Sequence, residues 1–170
     1  MILGMSVPTF TILHVVLSLA GILAGLIVLG GMLSSKKLEG WTALFLATTV
    51  LTSATGFLFP FVQILPSHIV GVISLAVLAV AIVALYVCQL AGRWRWIYVA
   101  SAVFALYLNV FVGVVQAFLK IPSLKAMAPT QAEPPFVTAQ AVVLVAFVLL
   151  GVLAARSFHP ESSSPALRTA

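Results

Sequence analysis

The chain contains no aspartate, three glutamates and a single cysteine, and charged residues make up only 6% of it. Soluble domains carry roughly one quarter charged residues, so the shortage is large. Each absence removes a class of function. Without Asp there is no Ser-His-Asp triad, and neither G-x-S-x-G nor H-E-x-x-H occurs, which takes away the usual hydrolase and zinc-protease constellations. Cys88 has no partner for a disulfide, a C-x-x-C pair or a C-x-x-C-H haem attachment, so it reads as a small apolar helix residue. A non-catalytic role is the expectation.

What the chain has in excess is hydrocarbon. Sixty-three per cent of its 170 residues are hydrophobic, more apolar surface than one soluble core of this size can hide, so lipid must be part of the solvent. Membrane β-strands would read as short alternating segments, and those are missing. Five long apolar runs occur instead, each near the about 20 residues a membrane helix needs. The sequence therefore predicts an all-α, polytopic membrane helical bundle with helices at about 9–33, 41–60, 67–92, 94–119 and 136–155. These form a single transmembrane domain over 1–155, and residues 156–170 read as a polar, disordered tail. The second helix has room for a kinked extension past Pro60. No Lys or Arg precedes the first run and no small-residue cleavage site closes it, so it reads as a retained helix.

The eight Lys and Arg leave a net charge of +5, yet they sit between apolar runs, not in a patch. Nucleic acid is therefore not an expected partner; lipid head groups are. Lys36, Lys37, Arg93, Arg95, Arg156 and Arg168 fall on one side of the five-helix arrangement, Lys120 and Lys125 on the other. The positive-inside rule puts the larger group in the cytoplasm, with the N-terminus outside and the C-terminus inside. Trp41, Trp94, Trp96 and Tyr98 stand where an interfacial aromatic belt belongs.

Polar side chains within membrane helices are costly, so each is a functional candidate. His14, Ser18, Gly21 and Gly25 recur at four-three-four spacing on one face, and Gly21-xxx-Gly25 is a close-approach pair. Tyr98, Ala102, Ala105, Asn109, Gly113, Gln116 and Lys120 form a similar stripe on the fourth helix, while Thr49, Ser53 and Gly56 share a face of the second. Helix direction places His14, His68, Gln63, Asn109 and Gln116 in the outer half of the bundle, beneath the Pro-rich segment from Lys120 to Pro135. The fifth helix has no polar stripe and is expected at the periphery.

Two imidazoles from different helices in one leaflet meet the requirement of a bis-histidine b-type haem. His14 and His68 are accordingly candidate axial ligands, with Gly21, Gly25 and Gly71 leaving room for a porphyrin. The plainer reading has His14 hydrogen-bonded to a Ser, Thr or Asn across a helix contact and His68 wet at the interface. Gln63, Asn109 and Gln116 are candidate pocket residues for a quinone-like carbonyl, against the plainer reading of interhelical glue. No third strong ligand is suitably spaced for a metal site.

The stretch YLNVFVGVVQAFLKIPSLKAMAPTQAEPPF (Tyr107 to Phe136), with TGFLFP and PSHIVG upstream, resembles small multi-pass bacterial inner-membrane proteins to which no activity is attached. That resemblance implies the bacterial inner membrane. A His opening a helix after a Pro-containing turn is loosely similar to b-type cytochrome membrane subunits. Neither histidine helix carries a second His, so at most one haem fits. The expected function is a non-catalytic membrane subunit or accessory protein whose periplasm-side polar pocket holds a haem b or a quinone-like molecule. The alternative is a structural or assembly partner of other membrane subunits with no ligand, and a small oligomeric channel or transporter stands behind both.

Overall fold

The computed structural model describes residues 1–59 and 66–160. Among them the chain is all-α, with no β-strand beyond a lone bridge between Ile2 and Met5. The helices are α1 (Val7–Leu33), α2 (Glu39–Gly56), α3 (Pro66–Ile82), α4 (Trp94–Lys120), the short α5 (Pro122–Met127) and α6 (Pro134–Ser157). Four segments are long and apolar enough to cross a membrane: Val7–Leu33, His68–Val87, Trp94–Lys120 and Pro134–Ser157. The chain is thus built as a multi-pass membrane protein. α2 is not among the four, and its Thr42, Thr48, Thr49, Thr52, Ser53 and Thr55 account for its lower apolarity.

Local chemistry sets the ends. The Ser6 side chain accepts from the Thr9 N–H and caps α1, with Pro8 in the first turn where its missing N–H costs nothing. α3 ends earlier than the expected 92. It widens into a π-helical turn over Val83–Val87, where the Cys88 N–H reaches the Val83 carbonyl and the Leu90 N–H the Ala84 carbonyl. Gln89, Leu90 and Gly92 then adopt positive φ, which reverses the chain within a few residues. The Pro-rich segment after Lys120 is likewise more ordered than its composition suggests: α5 forms within it.

α1 to α4 close into a ring in which each helix packs on the next and α4 returns to α1; α6 lies outside, against α4 and α1. α2 runs antiparallel to α1 from Gly31, where Leu38 packs, to His14, which bonds Thr55. At 1.5 Å per residue that is about 26 Å of shared length. Phe10, Met32, Phe45, Leu78, Val99 and Leu106 are fully enclosed between these helices. Of α6, only Phe147 and Ala154 are buried. Its C-terminal end is tied down by Phe158, which is buried, touches Tyr98 and accepts a hydrogen bond from Arg95 through its carbonyl. The His159 N–H donates to Ser35 Oγ at 2.9 Å. Phe158 and the His159 N–H thus anchor the start of the expected tail, while Arg156, Ser157 and His159 are exposed; its remainder lies outside the described residues.

Candidate functional site

α2 carries more hydroxyls than any other helix, and their fates differ. Thr48 and Thr55 donate back to the carbonyls of Leu44 and Leu51, each at 2.7 Å, and Ser101 on α4 does the same to Ile97 at 2.6 Å. Such bonds satisfy a hydroxyl inside its own helix. Ser53 instead donates across to Ser74 Oγ at 3.1 Å and links α2 to α3. Thr49 Oγ1, Thr52 Oγ1 and Asn109 Nδ2 are buried without a hydrogen-bond partner.

His14 is tied to α2 through its ring: Nδ1 lies 2.9 Å from Thr55 Oγ1. The Thr55 hydroxyl also reaches the Leu51 and Thr52 carbonyls, at 2.7 and 3.2 Å, so its one proton goes either to a carbonyl, with Nδ1 donating, or to Nδ1 itself. No described residue bonds Nε2. Phe59 meets the His14 ring edge-on at 5.2 Å between centroids, and Phe10 packs on Phe59 at 5.1 Å. His14 is thus half-buried in an aromatic corner at one end of α1 and α2.

His68 occupies the other flank of the same α2 end, with its ring 5.8 Å from that of Phe57. α2 stands between α1 and α3, so the two histidines face successive aromatic residues of the turn that follows α2. The glycine spaces are taken. A Cβ at Gly21 would lie 3.1 Å from both Asn109 Nδ2 and Thr49 Oγ1, one at Gly25 2.5 Å from Leu106 Cδ1, and one at Gly71 3.1 Å from the Phe57 ring. Each glycine admits a side chain of the chain itself.

The five expected site residues therefore separate. Asn109 is buried at the α1–α2–α4 junction against Gly21, as the small-residue face of α1 requires. Gln116 is exposed, although it shares the Asn109 stripe. Helices stay in contact over a limited length, and α1 meets α4 where Gly25 and Gly21 face Leu106 and Asn109 and where Ile22 approaches Gly113. Gln63 lies outside the described residues.

Two residues of the Pro-rich segment belong to this end. The Gln131 side chain donates to the Val115 carbonyl of α4 at 2.9 Å. Glu133 accepts from the Thr130 hydroxyl at 2.8 Å and from the Thr130 and Ala132 N–H groups, each at 3.1 Å. Desolvation acts upward on its carboxyl, but the hydrogen bonds together outweigh it and hold the acid below its ordinary value. Among the described residues no three His, Cys, Asp or Glu side chains gather as a metal site would need. Thr55, Phe57 and Phe59 are the partners that the sequence reading missed; the dense hydroxyl run TTVLTSATG followed by FLF was the available signal.

No family model matches the chain, and neither does any curated protein or any solved structure.

Proposed function

We propose that the chain is a non-catalytic accessory protein of a bacterial inner membrane, crossing it five times with the N-terminus outside and the C-terminus in the cytoplasm. The antiparallel run of α2 along about 26 Å of α1 supports counting it as a crossing, since Thr42, Thr48, Thr49 and Thr52 are buried among the neighbouring helices and away from lipid. The six basic residues at the Lys36, Arg93 and Arg156 ends, against two at the other, support the orientation. Alkaline phosphatase fused near Ala128 is expected to be active and, fused after Arg156, inactive. The opposite pattern inverts the topology.

The role that the geometry supports best is structural: a compact unit that meets other membrane subunits through its outer faces. The carrying observation is that the spaces beside Gly21, Gly25 and Gly71 are each filled by Asn109, Leu106 or Phe57. A second reading has its own support in His14 Nε2, which no described residue engages while Nδ1 contacts Thr55, and which could ligate iron or accept from a quinol hydroxyl. A haem b between His14 and His68 would require Phe57 and Phe59 to move aside. The visible spectrum of protein purified from haem-replete cells separates the two. The structural role predicts no Soret band. A band that is lost in His14→Ala or His68→Ala, and kept in His159→Ala, would overturn it in favour of a haem subunit.

A further inference from the structure

The surface between α3 and α4 carries an open groove of about 420 Å³ lined by Val77, Val80, Ile97, Ala100, Ser101 and Phe104. Its size lies within the range of small-ligand sites, but its chemistry is hydrocarbon. The one polar lining group, the Ser101 hydroxyl, is already spent on the Ile97 carbonyl. A polar ligand would find nothing to bond there. Ile97, Ala100, Ser101 and Phe104 follow three-four spacing along α4, so the groove runs along the helix for about two turns.

Charge stands at one end of that groove. The Arg93 carbonyl accepts from the Ile97 N–H, which puts Arg93 one helical turn beyond the last lining residue and on the same face. Arg93 is exposed and forms no ion pair; among the described residues the only such pair joins Lys37 and Glu39. Arg95 lies two residues on, stacked against Trp96 at 5.0 Å and held by the Phe158 carbonyl, with no ion pair among the described residues. The exposed Trp94 and Trp96 mark this level as the membrane–water interface. An apolar groove descending from an unpaired cation at that level matches one amphiphile.

We propose that this groove is a binding site for an anionic phospholipid, with one acyl chain along Ile97, Ala100 and Phe104 and the phosphate on Arg93. Arginine suits the phosphate because its planar fork donates two parallel hydrogen bonds. The site lies at the end of the bundle away from His14, so it stands or falls separately from either reading of the function above.

Native mass spectrometry of the delipidated protein, titrated with phosphatidylglycerol and with phosphatidylcholine, tests it. One phosphatidylglycerol should be retained in preference. Arg93→Gln should cut that preference about fivefold, the weight of one arginine at an anionic surface, whereas Lys125→Gln at the opposite end should leave it unchanged. Ala100→Phe fills the exposed groove and should lower retention of both lipids; Ala100→Ile serves if the larger ring impairs folding. Equal retention of the two lipids, or retention indifferent to both Ala100 variants, overturns the proposal. So does a lipid-free dimer that Ala100→Phe converts to monomer, which would make the groove an interface between copies.

Discussion

Adding a single methyl group at Gly25 tests the packing of the bundle more directly than any larger change. A Cβ there would stand 2.5 Å from Leu106 Cδ1 and 2.9 Å from two carbons of the Phe45 ring. Both neighbours are about 1% exposed, so neither has free space to retreat into. Overpacking of this kind costs about 1–3 kcal/mol, while replacing Gly by Ala within a helix returns at most about 1 kcal/mol. The contact term wins, and Gly25→Ala should be net destabilising by about 1–2 kcal/mol. Gly30→Ala is the matched control. It lies on the same helix, five residues on, and nothing stands within 4 Å of its Cβ position. Only the propensity gain applies there. Unfolding in mixed micelles by SDS titration, followed by circular dichroism, should place Gly25→Ala below the wild type and Gly30→Ala level with it or above. If Gly25→Ala proves as stable as Gly30→Ala, α1 does not pack closely on α2 and α4, and the inward direction assigned to His14 falls with it.

Two isosteric changes on α2 should differ although their chemistry is identical. Thr55→Val removes the hydrogen-bond partner of His14 Nδ1 and should cost about 1–3 kcal/mol. Thr49→Val removes a hydroxyl that has no partner and should be neutral or stabilising in the same SDS titration; equal losses would refute the His14–Thr55 bond. The turn around Glu133 should depend on pH. Its carboxyl is held below the ordinary value, so the ordering it provides is complete above the usual carboxylate range and is lost as pH falls through the lowered value. The Thr130 and Ala132 amide resonances should report a midpoint below that of a free glutamate, and Glu133→Gln should abolish the titration; a midpoint at or above the free value would count against the hydrogen bonds described.

Much of the fold could be read from hydropathy alone, because lipid leaves a spanning chain few alternatives to a helix. The runs near Val7–Leu33, Trp94–Lys120 and Pro134–Ser157 were legible for that reason, as was the peripheral place of α6, which has no polar stripe. What escaped were features decided by single backbone bonds. The π-helical turn at Val83–Val87 follows from where the Cys88 and Leu90 N–H groups find carbonyls, and nothing in LAVLAVAIVALYV marks the place. α5 and the packed Phe158 sit in segments whose Pro and Ser content argued for loop. Composition describes what a segment would do alone. The Arg95 bond to the Phe158 carbonyl and the Ser35 bond to the His159 N–H arise only after α4, α6 and the α1–α2 turn have met.

The candidate site divides along the same line. That His14, Gly21 and Gly25 share a face follows from helical period, and so does the meeting of that face with other helices. Which helix receives each residue does not. The face of α1 enters the cleft between α2 and α4: Gly21 meets both Thr49 and Asn109, Gly25 meets both Phe45 and Leu106, and His14 goes to α2 alone. The contact of α4 with this face encloses Asn109 and leaves Gln116, about two turns further along the same stripe, exposed. His14 pairs with Thr55 through Nδ1, and Nε2 is engaged by no described residue. The same ring thus makes a packing bond at one nitrogen and is open to a ligand at the other. For that reason removal of His14 alone cannot distinguish the two roles; the spectrum of the intact protein can, because only a bound haem adds absorption that the helices lack.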